Sequence, residues 1–328
     1  MMMAESCGVE PVAGQTRRYT YRSGAVYEGS FEGTKRHGRG HWIHPGGESY
    51  EGEYVENKQE GLGVYRFVES GKCYVGNWKS GQMHGEGVYF FSADCCTYYV
   101  GSYSDDKKDG VGFYSYENGV VTSQRWARGE LQHEEEATPL QRVECTVKVD
   151  SILAQVRGVA PAVLGERLAP SGERSFQFPS GATYIGEHHG TKKHGVGYWC
   201  HPEGDSYEGQ YEMNRHSGWG VYTVGRSGKK FVGHWRDGKM HGVGVYFFNP
   251  QETEYYIGAY KSDVKHGRGL YHFAESGRNK VQLWVDGSIV EEAESDDILL
   301  KQYEEAMKRI MQLVRPYAPR YTPLCIEK

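Results

Sequence analysis

The stretch YVGNWKSGQMHGEGVYFF, residues 74–91, decides the fold of this chain. It begins with Tyr-x-Gly-x-Trp, ends with His-Gly-x-Gly-Val-Tyr, and returns as FVGHWRDGKMHGVGVYFF at residues 231–248, an offset of 157 residues (231 − 74). Each half alternates with a period of two, the pattern of a β-strand. Two such runs joined by a short polar segment containing glycine predict a β-hairpin.

The same motif opens eight units along the 328-residue chain. They begin at residues 27, 50, 74 and 99, and again at residues 184, 207, 231 and 256, so a block of four is used twice. A period of this length indicates a repeat architecture, and single hairpins are marginal in water. We therefore predict an all-β fold: antiparallel β-hairpins stacked into elongated twisted sheets, two arrays of four, plus a C-terminal α-helix.

The composition changes along the chain predict five segments. They are a flexible leader (1–20), the first array (21–130), a connector (131–178), the second array (179–287), and an amphipathic helix with a proline-rich tail (288–328). Within the connector, VECTVKV (143–149) alternates and predicts a strand, whereas SILAQVR (151–157) predicts one or two helical turns. We expect the connector to fold against an array.

The C-terminal segment carries one apolar stripe. Ser295, Asp296 and Asp297 are typical of a helix start, and Pro316 ends the pattern. Two interpretations of the stripe are open: it covers the end of the second array, or it docks another subunit. The stripe consists of Leu299, Tyr303, Met307, Ile310 and Val314.

Aromatic residues of the hairpins form a candidate partner-binding groove. Regular glycines on one face leave room for rings to pack over bare backbone, so most of these rings are first of all packing residues. An aromatic content of 13% also leaves rings to line a groove that would receive a strand or helix of a partner. The candidates are Tyr27, Phe31, Trp42, Tyr50, Tyr54, Tyr65, Tyr74, Trp78, Tyr89, Tyr184, Trp199, Tyr207, Tyr211, Tyr222, Trp235, Tyr246, Tyr256 and Tyr260.

The sequence predicts no catalytic, cofactor-binding or metal site. We expect the histidines of the His-Gly motif to be turn residues that hydrogen-bond backbone, because Glu60, Asp109 and Ser217 interrupt their column. The glycine-rich segments lack the strand–loop–helix setting of a phosphate loop. Neither segment outside the arrays is long enough for an enzyme domain. The motif histidines are His37, His84, His194, His241 and His266.

The net charge and the cysteines indicate which kinds of partner the chain binds and in which compartment it is located. A net charge of −5 argues against nucleic acid. No apolar run is long enough to span a bilayer, and MMMAESCGVE lacks the apolar core of a signal peptide. Seven cysteines without a C-x-x-C pair predict reduced thiols in the cytoplasm.

The pattern Tyr-x-Gly-x-aromatic followed by His-Gly-x-Gly-x-aromatic resembles the MORN repeat (membrane occupation and recognition nexus) over residues 27–130 and 184–287. Among MORN proteins, the chain is similar to the radial spoke head protein 1 family of cilia and flagella. The segment ESGKCYVGNWKSGQMHGEGVYFF, residues 69–91, reads like a unit of that family.

This resemblance implies a non-enzymatic structural subunit of the axoneme, located at the cytoskeleton of the cilium or flagellum. The implied place is the radial spoke head, where the chain would dock other radial spoke or axonemal proteins and relay mechanical contact; a homodimer is also open. The alternative is a cytoskeletal or membrane-junction scaffold that binds acidic phospholipid through loop Lys and Arg. The net charge of −5 gives lipid binding little support.

Overall fold

In the computed structural model, each array is one antiparallel sheet. The structure describes residues 16–67, 71–92, 97–160 and 172–321. Within these residues each sheet has eleven strands, and each strand pairs with the next along the chain. The predicted all-β fold of stacked hairpins is confirmed.

The first sheet consists of β1 Arg17–Thr20, β2 Val26–Glu32, β3 Lys35–Ile43, β4 Ser49–Val55, β5 Lys58–Arg66, β6 Cys73–Lys79, β7 Gln82–Phe90, β8 Tyr98–Ser104, β9 Lys107–Ser115, β10 Val121–Ala127 and β11 Glu130–Glu136. The second consists of β12 Glu173–Gln177, β13 Thr183–His189, β14 Lys192–Cys200, β15 Ser206–Glu212, β16 Arg215–Thr223, β17 Lys230–Arg236, β18 Lys239–Phe247, β19 Tyr255–Lys261, β20 Val264–His272, β21 Asn279–Val285 and β22 Ser288–Glu294.

Each sheet is longer than the four predicted hairpins. An edge strand, β1 or β12, precedes the first hairpin, and a fifth hairpin, β10–β11 or β21–β22, follows the fourth. The segments VTSQRWA and NKVQLWV lack the Tyr-x-Gly opening, so the sequence motif ends before the sheet does. The sheets therefore run to Glu136 and Glu294 rather than to residues 130 and 287.

The hairpins close in two-residue turns. Glu56 and Asn57 have φ angles of 47° and 74°, both in the left-handed region that a type I′ turn requires. The His-Gly motif lies elsewhere, so our placement of its histidines in the turns is wrong. In the third hairpin the register shifts between Gly76 and Trp78, which puts Gly85 (φ 64°) in a β-bulge inside β7.

Two helices lie outside the sheets in the described part of the chain: α1, Pro139–Arg157, and α2, Asp297–Val314. The strand predicted at 143–149 is wrong, since α1 contains the whole segment. Its buried residues Cys145, Val149, Ile152 and Val156 recur every three or four positions, the period of a helix. A seven-residue window ending at 149 was too short to show that period.

Helix α2 covers the aliphatic face of the second sheet rather than its end. The Asp296 carboxylate caps it by accepting the Leu299 N–H at 2.7 Å. The stripe residues Tyr303, Met307, Ile310 and Val314 are buried in one cluster with sheet valines, and Leu299 packs on that cluster. The stripe thus packs against this chain's own sheet, which differs from both predicted roles.

The described residues form two compact units. The first contains residues 16–114, 124–134 and 151–160, and the second contains residues 115–123, 135–150 and 172–321. Residues 17–20 of the expected leader are strand β1; residues 1–15 and the tail beyond residue 321 lie outside the described residues. Neither α1 nor α2 is long and apolar enough to cross a bilayer.

Candidate partner-binding face

The opening ring of each unit, Phe231 in the seventh unit and a tyrosine in the others, forms the floor of an aromatic face. In the third unit Gly76 pairs with Gly87, and a Cβ on Gly87 would lie within 3.0 Å of the Tyr74 ring. The Tyr74 ring is fully buried, and its hydroxyl donates to the Asn77 carbonyl at 3.0 Å. Burial raises the pKa of Tyr74 well above its usual value, so the phenol stays neutral. The paired glycines therefore exist to seat a ring on bare backbone.

The second ring of each unit stands edge-on to the floor and joins successive hairpins. Trp78 lies 5.2 Å from Tyr74 in its own hairpin and 5.3 Å from Tyr50 in the preceding one, at interplanar angles of 88° and 87°. Trp235 is placed in the same way against Phe231 and Tyr207, at 5.2 and 5.4 Å. Edge-to-face contacts of this kind stabilise aromatic pairs, so the floor of each sheet is one continuous cluster.

A third row of rings is only half-buried, and a partner can reach it. In the first sheet the rings of Tyr65, Phe67, Tyr89, Phe91 and Tyr114 follow one another with centroid distances of 4.7, 5.9, 4.8 and 5.4 Å. The row crosses three successive hairpins. We call it the outer row.

The second sheet has its own outer row. Tyr246, Phe248, Tyr271 and Phe273 follow one another at 4.9, 5.1 and 4.3 Å. All four are half-buried. The phenylalanines of both outer rows lie just after the strands and were absent from the predicted groove.

The structure divides the predicted groove residues by burial. Buried in the floor are Tyr27, Tyr50, Tyr54, Tyr74, Trp78, Tyr184, Tyr207, Tyr211, Trp235, Tyr256 and Tyr260. Half-buried are Phe31, Trp42, Tyr65, Tyr89, Trp199, Tyr222 and Tyr246. Only the second group can touch a partner without rearrangement of the sheet.

The sequence patterns did not identify one further residue of each unit. This residue directly precedes the His-Gly position, and its side chain covers the ring cluster. The bulge sets it opposite the second ring, as Met83 is opposite Trp78 and Lys265 opposite Tyr260. We call it the lid residue. The signal in the sequence is that a long side chain recurs at this position in every repeat. The lids are Arg36, Gln59, Met83, Lys108, Lys193, His216, Met240 and Lys265.

The Lys265 lid holds its ammonium in a cage of four rings. Its Nζ lies 4.1 Å from the Tyr256 centroid, 4.4 Å from Trp284, 5.1 Å from Tyr271 and 5.4 Å from Phe248. Cation–π attraction favours this position. Burial nevertheless lowers the pKa of Lys265 to about 8, because the rings displace water from the charged form.

The same cage surrounds Lys108 in the first sheet. Its Nζ lies 4.2 Å from the centroid of Tyr99, 4.3 Å from Trp126, 5.2 Å from Tyr114 and 5.6 Å from Phe91. Burial lowers the pKa of Lys108 to about 8 against a smaller opposing effect of the Glu134 carboxylate. The fourth unit of each array thus presents the same caged amine.

The sixth unit uses a histidine as its lid. The His216 ring stacks on Tyr207 at 3.7 Å with an interplanar angle of 12°. Burial, and then the charge of Lys193, lower the pKa of His216 to about 4. The lid is therefore a neutral imidazole at physiological pH.

The His-Gly histidines contact the backbone and carboxylates of neighbouring turns. His194 Nδ1 accepts the Met213 N–H at 3.4 Å, and His266 Nδ1 accepts the Asp286 N–H at 3.1 Å. The expected hydrogen bond to backbone is confirmed for these two, although they lie in bulges. In the described ranges no three His, Cys, Asp or Glu side chains are grouped to hold a metal ion.

Six segments of the chain match the model of the MORN repeat: residues 27–49, 50–72, 74–95, 99–121, 231–251 and 256–278. The chain therefore contains MORN repeats. The units that begin at residues 184 and 207 are outside these matches, yet they have the same Tyr-over-Gly pairing and the same bulge.

The chain is similar to two kinds of curated protein. It is 34% identical over 123 residues to alsin from Homo sapiens and 31% identical to alsin from Rattus norvegicus, matches that cover 35% of this chain and 7% of alsin. It is 32% identical over 74 residues to MORN repeat-containing protein 3 from Xenopus laevis, covering 21% of this chain and 31% of that protein. The chain thus spans less than a third of the length of these relatives.

Among solved structures, a catalytically inactive virginiamycin B lyase from Staphylococcus aureus with quinupristin aligns over 85% of this chain and 84% of its own. Its sequence identity of 9% and TM-score of 0.11 carry no argument about fold or function.

Proposed function

We propose that this chain is a non-enzymatic scaffold that docks partner chains on the aromatic faces of its MORN sheets, as a structural subunit of the ciliary or flagellar axoneme. The observation that carries the docking role is the outer row of half-buried rings, exemplified by Tyr89 and Phe91 with centroids 4.8 Å apart. Partly exposed aromatic surface of this kind is typical of interfaces. MORN repeats themselves suggest a scaffold or binding role.

The floor beneath the outer row suits a docking platform. Its tyrosines are held by ring contacts, and some of them also by a hydroxyl bond to backbone, such as Tyr50 Oη to the Glu53 carbonyl at 3.1 Å. The outer-row rings above them contact one another at centroid distances of 4.7 to 5.9 Å, and a ring held in this way loses little conformational freedom when a partner binds. The outer row therefore offers apolar contact area at a low entropic cost.

The docking role is tested by removing outer-row rings while leaving the floor intact. Tyr89→Ser with Phe91→Ser should abolish co-purification of partners from ciliated cells, at a melting temperature within a few degrees of the unchanged chain. Val111→Ser, at a half-exposed position of the same sheet, is the control. Equal recovery of partners by the double variant and the control would reject the docking face.

The radial spoke head is the specific axonemal place that we propose, supported by the resemblance of residues 69–91 to a spoke-head unit. A tagged chain should localise along the axoneme and co-purify radial spoke proteins, and deletion should remove spoke heads or alter beating. Localisation elsewhere in the cell rejects the axonemal role, and intact spoke heads after deletion reject the spoke-head placement; neither result bears on the docking face.

A membrane-junction scaffold is the competing function. It requires binding of acidic phospholipid through loop Lys and Arg. Flotation with vesicles that contain acidic phospholipid at physiological salt separates the two: the docking proposal expects the chain to stay in the unbound fraction, and strong flotation supports the membrane scaffold.

A further inference from the structure

The lid residues of the two arrays follow the same chemical order. The first array reads cation, neutral polar, methionine, cation, and so does the second, although two of the four residues differ between them. The pairs in order are Arg36 and Lys193, Gln59 and His216, Met83 and Met240, Lys108 and Lys265. His216 counts as neutral polar because its pKa is lowered to about 4.

Packing alone does not require a cation as the lid residue of the fourth unit, where the two arrays have Lys108 and Lys265. Met83 and Met240 occupy the same position in the third unit of each array, opposite Trp78 and Trp235. A methionine side chain is one heavy atom shorter than lysine, and it packs well on aromatic rings. The lysines therefore add a charge to the aromatic face that the fold does not need.

Neither caged ammonium forms a salt bridge within the described residues, although the Glu134 carboxylate acts electrostatically on Lys108. No salt bridge joins Lys265 to a carboxylate, and burial is what lowers its pKa. The Glu254 carboxylate accepts a hydrogen bond from the hydroxyl of Tyr271, a ring of the Lys265 cage, at 2.7 Å. Glu134, which acts on Lys108 from a distance, accepts the Gln124 amide at 2.7 Å.

We propose that the lid residues bind an extended acidic segment of a partner protein. A carboxylate side chain of that segment contacts Lys108 or Lys265, and an apolar side chain contacts the neighbouring Met83 or Met240. This rests on the proposed docking function and names its partner chemistry. A carboxylate at the caged amine forms a charge-assisted hydrogen bond, and this bond offsets the cost of removing water from the ammonium group.

The spacing of the hairpins sets the spacing of the partner's residues. Equivalent positions of successive hairpins are two strands apart, about 10 Å, and an extended chain advances about 3.3 Å per residue. A segment that crosses the strands therefore meets a new lid about every third residue. The expected pattern is acidic-x-x-polar-x-x-apolar-x-x-acidic, in either chain direction, and it fits both arrays.

The test measures binding of a ten-residue probe peptide to the full chain. The acidic probe has Glu at positions one and ten, Gln at four and Leu at seven; the neutral probe has Gln in place of both Glu. Trp126 and Trp284 lie in the cages, so their fluorescence reports occupancy. We expect the unchanged chain to bind the acidic probe at least about tenfold more tightly than the neutral one.

The matched variant is Lys108→Met together with Lys265→Met, which copies the native lids of the third units. It should keep the melting temperature and weaken both the preference for the acidic probe and the salt dependence of binding, because only the cations Arg36 and Lys193 of the first units remain. An unchanged preference in this variant overturns the proposal, as does equal binding of both probes by the unchanged chain.

Two further outcomes separate this proposal from the docking function. If partners co-purify through the outer row but neither lysine affects their recovery, acidic recognition is rejected and docking stands. If vesicles of acidic phospholipid bind in a lysine-dependent way and the acidic peptide does not, the caged amines serve lipid and the proposal falls.

Discussion

Asn57, in the turn of the second hairpin, is hydrogen-bonded through both its side chain and its backbone to Arg36, the lid of the first. The Arg36 N–H donates to Asn57 Oδ1 at 2.8 Å, and the Asn57 N–H donates to the Arg36 carbonyl at 3.0 Å. Lys193 and Asn214 repeat this pair in the second sheet at 2.8 and 2.9 Å. The turn of one hairpin is thus attached to the lid of the hairpin before it, which sets the spacing between units.

Replacing Asn57 with Gly removes the side-chain bond and keeps the left-handed backbone, since glycine adopts positive φ freely. The equivalent turn residue of the next hairpin, Gly81, is already a glycine and keeps only the backbone bond, to Gln59 at 2.9 Å. We expect the free energy of unfolding to fall by about 0.5–1.5 kcal/mol. Urea denaturation measures it, and an unchanged midpoint would show that the side-chain bond is dispensable.

Replacing Gly87 with Ala places a Cβ within 3.0 Å of the Tyr74 ring. The ring cannot withdraw, because it is fully buried, so we expect a loss of about 1–3 kcal/mol of stability from overpacking. Gly158→Ala is the control, since its Cβ would meet only the Gln155 carbonyl at 3.5 Å. Equal thermal melting of the two variants contradicts the ring-over-glycine explanation of the repeat.

Two isoleucines of α2 test how the second sheet is covered. Ile310 is 1% exposed against the aliphatic face, whereas Ile298, on the same helix, is 72% exposed. Ile310→Ala should lower the free energy of unfolding by about 2–5 kcal/mol. Ile298→Ala should change it by less than about 0.5 kcal/mol. Similar losses for both would mean that α2 does not pack on the sheet.

Neutral buried histidines make the fold sensitive to acid. The pKa of His216 is lowered to about 4 and that of His241 to about 3, mainly by burial, whereas the unfolded values lie near 6.5. Below pH 6.5 the unfolded chain therefore binds more protons than the folded one. Stability contributed by these neutral rings is fully present above pH 6.5 and decreases as the pH falls from 6.5 towards 4 for His216 and towards 3 for His241.

His216→Met copies the lid of the neighbouring unit and removes one of the two groups. It should flatten the dependence of melting temperature on pH between 4 and 6.5. Gln59→Met changes the equivalent lid of the first array without removing a titratable group, and its slope should match the unchanged chain. A His216→Met slope as steep as the control would show that the ring is not kept neutral by burial.

Local patterns predicted the hairpins because the period-2 alternation and the left-handed turn residues act within about 25 residues of chain. They failed where the determining contacts lie outside the motif. The fifth hairpins form because β9 and β20 leave open edges that the next segments pair with, although those segments lack the Tyr-Gly pair. The helical turns predicted at 151–157 lie in α1, whereas residues 143–149 of the same helix were predicted as a strand because only burial reveals that Cys145, Val149 and Ile152 share a face.

The repeat, its doubled block of four, and the seating of a ring on each glycine pair such as Gly76 and Gly87 all follow from the local sequence pattern. Tertiary structure decided which rings remain open to a partner, because ring exposure depends on neighbouring hairpins. It also decided that the residue before each His-Gly is a lid, because the bulge at Gly85 shifts Met83 opposite Trp78. Spacing along one strand cannot show that shift, since a bulge changes the register of two strands at once.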